Sequence, residues 1–202
     1  MVEMMDKRIK RSKDALKQTF LQILAQKPFK QITISEIVRA ANYNRGTFYA
    51  NFETKEKLLD EIIQDVLTEM INQIRVPYKT RKEVNLRKMN PDDITLFTYF
   101  KENAWIYRLL LSDHIHVDFR YQMAKAIEKL FIDEYEYELE QGTSLDTKWL
   151  YIFRSHGIAG MIIRWIEEDF STSPEYMAKQ VIELMIVSTK VFYVKSKGDK
   201  IV

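Results

Sequence analysis

Residues 33–55 read TISEIVRAANYNRGTFYANFETK, and the rest of the chain is interpreted outward from this stretch. Thr33 stands three residues before Glu36, the spacing of a capping box at a helix N-terminus. Ile34, Ile37, Val38 and Ala41 recur at helical spacing and form a small apolar stripe. Asn42 follows. Asparagine tolerates positive φ better than most non-glycine residues, so it can end a helix and turn the chain. Asn44 is placed to cap a second helix over about 45–51. In that helix Arg45, Thr47, Tyr49 and Asn51 are set against Phe48 and Phe52. Thr54 can cap a third helix with Lys55 in its first turn. Two short helices joined by a tight turn make a helix-turn-helix, here over about 33–52, whose second helix enters the DNA major groove.

The same residues resemble the N-terminal motif of the TetR family of bacterial transcriptional regulators. Gly46, Thr47, Phe48, Tyr49, Phe52, Lys55, Glu56 and Leu58 fall in the family's register of Gly-Thr-aromatic-Tyr, a Phe three residues on, and a Lys-Glu pair before a Leu. The turn departs from the pattern, with Asn42 for the usual Gly and Asn44 for the usual Ser. Each replacement keeps the physics, a residue fit for positive φ and a side-chain cap. The resemblance points to DNA contacts at Thr33, Tyr43, Tyr49 and Lys55.

Residue chemistry extends that set. Asn44 and Arg45 carry donors suited to base edges, Asn to adenine and Arg to guanine. Thr47 and Tyr49 suit phosphates, which fix register without reading sequence. Tyr49 has a second reading, as a half-buried aromatic under Phe52. Gly46 lets the backbone approach DNA or a neighbouring helix closely. Lys55 would add a cation where backbone N–H groups already favour phosphate. Ser35 and Asn51 complete the polar candidates.

Composition fits a globular helical protein. Of 202 residues, 46% are hydrophobic and 30% charged, and only 5 Gly and 4 Pro occur, which favours long helices. There is no Cys, hence no disulfide framework and no thiolate chemistry. The opening MVEMMDKRIKR lacks the apolar core of a secretory signal. The most apolar stretch, WLYIFRSHGIAGMIIRWI, is interrupted by Arg154, His156 and Arg164 and is not a membrane span. A cytoplasmic location is expected. The net charge of +2 hides an asymmetry: residues 1–57 hold twelve Lys and Arg against six Asp and Glu. The basic end is the end with the helix-turn-helix, as expected if it faces phosphates.

Taken in order, residues 6–27 read as a first helix. Leu16, Phe20, Ile23 and Leu24 share one face, with Ile9 and Ala15 near it. Lys7, Arg8, Lys10 and Arg11 lie near its start and either touch phosphates or belong to a mobile terminus. Phe29 and Ile32 tuck under the head. Residues 55–75 make a long fourth helix. Pro77 and Pro91 bracket a basic connection, and Asn90-Pro91-Asp92 opens the next helix. Two helices, or one bent one, are then expected over 92–112, a helix over 117–141, a turn at Gly142-Thr143-Ser144, a helix over 145–168, and a last helix from Ser173-Pro174 to about 195. The expected fold is all-α, with a DNA-binding domain over 6–70 and a helical dimerisation and effector domain over 71–202.

The last two helices are apolar almost all round, so each needs cover on more than one side. An intersubunit four-helix bundle of a homodimer supplies it. The candidates for that interface are Trp149, Phe153, Gly157, Gly160, Ile163, Val181, Met185 and Phe192. The segment HGIAGMIIRWIEEDFSTSPEYMA also resembles a TetR-type C-terminal domain common in Firmicutes regulators, a group that includes regulators of dihydroxyacetone kinase genes. Such domains dimerise and often hold a small-molecule pocket. Trp105, Tyr107, Phe153, Arg154, His156 and Trp165 are the pocket candidates, and Arg154 and His156 would suit an anionic group. The alternative is that these six are ordinary core and interface residues.

No HExxH pattern, zinc ligand set, glycine-rich phosphate loop or nucleophile elbow occurs. No cofactor or metal is expected, and an enzyme is not. The expected function is a dimeric DNA-binding regulator, a repressor on a near-palindromic operator that a small-molecule effector releases. A rival reading keeps the fold and the dimer but makes the protein a co-regulator or ligand-binding module with weak DNA binding. The Asn42 and Asn44 substitutions are what favour it.

Overall fold

The computed structural model describes residues 2–139, 142–187 and 189–195, and side chains from Ile9 onward. Helix α1 spans Val2–Leu24, α2 Ile34–Ala40, α3 Arg45–Asn51 and α4 Lys55–Arg75. After a short strand β1 (Glu83–Asn85) come α5 (Leu96–Glu102), α6 (Ala104–Leu111) and α7 (Phe119–Glu134). Strand β2 (Tyr135–Tyr137), α8 (Thr147–Glu167), α9 (Pro174–Ile186) and β3 (Val191–Val194) complete the described chain. No helix among the described residues is long and apolar enough to cross a membrane.

The chain forms two compact units. The first runs to Val66 and takes in Leu109–Val117; the second holds Leu67–Arg108 and the residues from Asp118 onward. The core of the first is Leu16, Phe20 and Leu24 of α1, Phe29 and Ile32, Ile37 and Val38 of α2, Phe48, Phe52, and the start of the α4 stripe. Ile9, expected near this face, is exposed instead. The excursion of residues 109–117 into the first unit was expected to lie in the second domain. Its attachment is specific: His114 Nδ1 lies 2.7 Å from the Leu24 carbonyl, the Phe29 amide donates to the His114 carbonyl at 2.8 Å, and the His116 ring lies 4.8 Å from the Phe29 ring.

In the second unit the all-α expectation holds for the bulk and misses a small sheet. The order is β1-β3-β2, antiparallel throughout, with Phe192 of β3 opposite Val84 and Tyr137. The expected helix over 117–141 therefore stops at Glu134, and the last helix stops at Ile186 rather than near 195. Tyr135, Tyr137 and Phe192 alternate onto one buried face with Tyr78, ring centroids 5.0–5.7 Å apart among neighbours. Asn90-Pro91 caps only a 3-10 turn, and α5 begins at Leu96. The cap at Ser173 is as expected: its hydroxyl accepts from the Tyr176 amide at 3.2 Å. Residues 196–202 lie outside the described residues.

Candidate nucleic-acid interface

The head is built from its caps. Thr33 accepts from the Glu36 amide at 3.2 Å, and Lys27 holds the Glu36 carboxylate at 2.7 Å. That hydrogen bond, with one from the Thr33 backbone, holds the Glu36 carboxyl below its ordinary range. At the other end of α2, Asn42 adopts φ 57°. Its amide donates to Arg39 at 3.2 Å, and the Tyr43 amide reaches Val38 at 2.8 Å. This pair of bonds is the Schellman motif, with Asn42 in the position glycine usually takes. Asn44 then caps α3, accepting from the Thr47 amide at 2.8 Å and the Thr47 hydroxyl at 3.3 Å. Gly46 has a local reason: a Cβ there would sit 3.2 Å from the Asn44 carboxamide oxygen. The glycine clears room for the cap itself.

These bonds divide the ten DNA candidates. Tyr43 and Tyr49 stand out of the surface, Tyr49 with 56% of its area exposed. That exposure excludes the reading of Tyr49 as a residue packed under Phe52. Its ring meets Phe48 edge-on at 5.7 Å, which aims it without burying it. Arg45 is exposed and donates to the Ser35 hydroxyl at 2.6 Å, one guanidinium edge tied to α2. Asn51, in contrast, is half-buried and donates to the Thr47 carbonyl at 2.8 Å and the Ser12 hydroxyl at 3.3 Å. It fastens α3 to α1. Ser12 is buried and was not foreseen; it stands four residues before Leu16 on the apolar face of α1, where a lone serine gives no sequence signal.

Lys55 is the clearest correction. Its ammonium donates to the Phe29 and Ile32 carbonyls at 3.0 and 2.8 Å and lies 4.4 Å from the Phe29 ring centroid. The carbonyls that close the turn before α2 attract the cation inward, so it clamps the head rather than reaching outward. A shallow groove beside α3 collects Arg11, Tyr43, Asn44, Thr47 and Ala50. Arg11 is the one member of the N-terminal basic group that lines it; the side chains of Lys7 and Arg8 fall outside the described residues.

Residues 21–62 match the family described as bacterial regulatory proteins, tetR family, and residues 92–186 match a transcriptional regulator C-terminal region. The chain belongs to the TetR family of transcriptional regulators. It is 28% identical over 188 residues to the uncharacterized HTH-type transcriptional regulator YxbF of Bacillus subtilis, covering 90% of this chain but only 46% of YxbF. The chain thus spans about half the length of that relative. It is 22% identical to the HTH-type dhaKLM operon transcriptional activator DhaS of Lactococcus lactis, over 86% of this chain and 88% of DhaS. A TetR regulator from Streptococcus agalactiae shares the fold, with a TM-score of 0.63 at 20% identity over 91% of this chain and 98% of that one. Family and relatives alike are described as transcriptional regulators, not as enzymes.

In the C-terminal unit of this TetR protein the six pocket candidates do not converge. Trp105 is exposed, and Phe153 exposes 75% of its area. Tyr107 is buried against Phe100 at 4.5 Å, with its hydroxyl 3.4 Å from that of Tyr99. Trp165 donates to the Thr172 carbonyl at 3.2 Å and packs on Phe97 and Phe170. Arg154 is buried, donates to the Met185 carbonyl at 2.8 Å and lies over the Tyr137 ring at 4.2 Å. His156 faces Glu128 at 3.6 Å. An anion site from Arg154 and His156 therefore does not form: the guanidinium is already taken up inside the fold.

The interface candidates also split. Ile163, Val181, Met185 and Phe192 are buried within the protomer: α7 packs on α8, α5 and the 3-10 turns before it pack on α9, and Phe192 joins the aromatic face of the sheet. Trp149, Phe153, Gly157 and Gly160 remain exposed, and their spacing of four, four and three puts them on one face of α8. A Cβ at Gly157 or Gly160 would meet nothing within 4 Å. Helix α9 exposes Tyr176 and Leu184, and Val187 after it is 85% exposed; none of these is among the interface candidates.

Proposed function

We propose that this TetR-family protein is a cytoplasmic, dimeric repressor that binds a near-palindromic operator through α3 and is released by a small-molecule effector. The observation that carries the DNA reading is the head itself. Two capped helices, locked by the Asn42 turn and the Lys55 clamp, leave Tyr43, Arg45 and Tyr49 projecting from the more basic end of the chain. Phosphate contacts from the tyrosines and Thr47 would set register, and the free edge of Arg45 would read bases. Thr33, Ser35, Asn44, Gly46, Asn51 and Lys55 support that surface from beneath.

The dimer reading rests on α8. A stripe of Trp149, Phe153 and two glycines with no protomer neighbour is an apolar patch of the kind that marks an interaction surface. The glycines permit close approach of a partner helix. Two heads in such a dimer would address half-sites about 34–36 Å apart. Helix α4 belongs to both units, so an effector that favours one setting of α4 would alter DNA affinity by its differential affinity for the two states.

The test is salt-dependent, sequence-specific DNA binding by the dimer, compared with Tyr49→Ala and Arg45→Ala. Loss of specific affinity in either variant, with unchanged melting temperature, supports the assignment. Variants that bind as the parent does remove those residues from the reading surface.

A further inference from the structure

We propose that the internal cavity of the C-terminal unit binds an uncharged, mainly apolar small molecule that carries one hydrogen-bond acceptor. This rests on the effector reading above and gives it a place and a chemical class.

The cavity lies behind the β1-β3-β2 sheet. Tyr135 of β2 and Phe192 of β3 close it on one side, with Phe97, Ile127, Ile158 and Met185 among the helical walls. No Lys, Arg, His, Asp or Glu among the described residues lines it. An anion or cation would enter without a counter-charge, and burying an unpaired ion is strongly unfavourable. The polar groups on the wall are Gln73, Tyr78 and Tyr135. Gln73 is committed to Glu69 at 2.8 Å and Thr95 at 3.4 Å. Among the described residues the Tyr78 hydroxyl has only the Met89 sulfur, at 4.0 Å.

Tyr135 is different. Its hydroxyl is shielded from solvent and has no hydrogen-bond partner among the described residues. Burial pushes both the Tyr78 and Tyr135 phenols up, so they stay neutral donors. A buried donor with no acceptor is costly and rare in native proteins. A carbonyl or hydroxyl oxygen on an otherwise apolar guest would satisfy it. The void itself is about 50 Å³, below the ~150 Å³ of a cavity that admits benzene. A ring-sized guest must therefore displace wall atoms. Met185, unbranched and adaptable, is suited to yield, and so is a sheet whose strands are three or four residues long. Gln73 and Ile74 of α4 are part of the lining, so an occupant touches the helix that both units share.

The experiment uses the full chain and three probes of one ring size: acetophenone, toluene and benzoate. Melting temperature and tryptophan fluorescence are followed, since Trp165 packs edge-on at 5.6 Å against Phe97 of the cavity wall. Acetophenone is expected to raise the melting temperature in proportion to ln(1 + [L]/Kd), toluene less at equal concentration, and benzoate not at all. In Tyr135→Phe, acetophenone affinity should fall about 5–10-fold, to the toluene level, as expected for one neutral hydrogen bond, while toluene is unaffected. That variant keeps the ring and so tests the hydroxyl without emptying the core. Benzoate binding as well as acetophenone, no binding by either neutral probe, or an unchanged acetophenone affinity in Tyr135→Phe each overturns the proposal. Acetophenone is then added to an operator-binding assay. If it binds as expected and leaves DNA affinity unchanged, the cavity assignment stands and the release mechanism fails.

Discussion

Replacing Lys55 with methionine separates two roles that one lysine could play. Methionine keeps most of the side-chain stem and its packing on Phe29 but removes the ammonium. The structure assigns that ammonium two carbonyl acceptors, at 3.0 and 2.8 Å, and an aromatic face at 4.4 Å. A hydrogen bond from a charged group contributes about 1.5–3 kcal/mol. Here the site is half-buried and the two bonds share one group, so a single contribution of about 2 kcal/mol is reasonable. The ring contact adds about 0.5–1 kcal/mol at such a position. The expected loss is therefore about 2–3 kcal/mol, or roughly 4–12 °C in melting temperature for a chain of this size. Urea unfolding and calorimetry on Lys55→Met read it directly. The salt dependence of DNA binding is the companion assay. A lysine that neutralises a phosphate reduces the log–log salt slope by about one when removed, whereas a clamp leaves the slope unchanged. Unchanged stability together with a slope reduced by one would refute the clamp and restore the role expected from sequence.

Three further outcomes follow from the same structure. Phe153→Glu places a charge in the exposed α8 stripe and should convert the proposed dimer to a monomer in light scattering with little change in helix content; a dimer that persists removes that face from the interface. Tyr135→Phe in the ligand-free protein deletes the unpartnered buried hydroxyl and should raise stability by about 1 kcal/mol, seen as an upward shift of the urea midpoint. In acid, protonation of Glu61 weakens the α1–α4 link that it shares with Asp65: Lys17 reaches Asp65 at 2.6 Å, and Lys13 and Lys17 approach the Glu61 carboxyl at 2.8 and 2.5 Å. Burial pushes this carboxyl up, but the two ammonium groups outweigh that and hold it below the ordinary 4.5. A depressed folded-state value means the link is fully present above 4.5 and is lost as pH falls through the lower folded-state value. Stability should therefore drop below pH 4.5, and less steeply in Glu61→Gln.

The helix-turn-helix was legible because its signals are local. Thr33, Asn42, Asn44 and Phe48 each have a cap, turn or core role fixed within five residues along the chain, and the structure has them all. Lys55 and Asn51 were misjudged because their partners, the Phe29 and Ile32 carbonyls and Ser12, lie 23–39 residues away. The sheet was missed for a related reason. YEY and VFYV are too short for a period of two to be told from a helical face, and the aromatic and β-branched content of VFYV becomes decisive only when Val84 and Tyr137 lie on either side. Once those strands form, they bury Phe192, while α5 and the 3-10 turns before it pack against α9, the helix of Val181 and Met185. This is why half of the expected interface is core, while Trp149, Phe153, Gly157 and Gly160 stay outside. The pocket candidates were chosen for aromatic and cationic character, but the Arg154 guanidinium is held by the Met185 carbonyl and the Tyr137 ring. The cavity forms where apolar walls fail to close.

The most direct test of the central claim is fluorescence anisotropy of the full chain on a duplex enriched from random sequence, against a scrambled duplex, over a range of salt, for the parent and for Tyr49→Ala. The account predicts specific affinity at least ~10³-fold above the scrambled duplex, a steep salt slope, and a fall of about tenfold or more in Tyr49→Ala at unchanged melting temperature. Failure of the selection to enrich any duplex, with equally weak binding to all sequences, would contradict it.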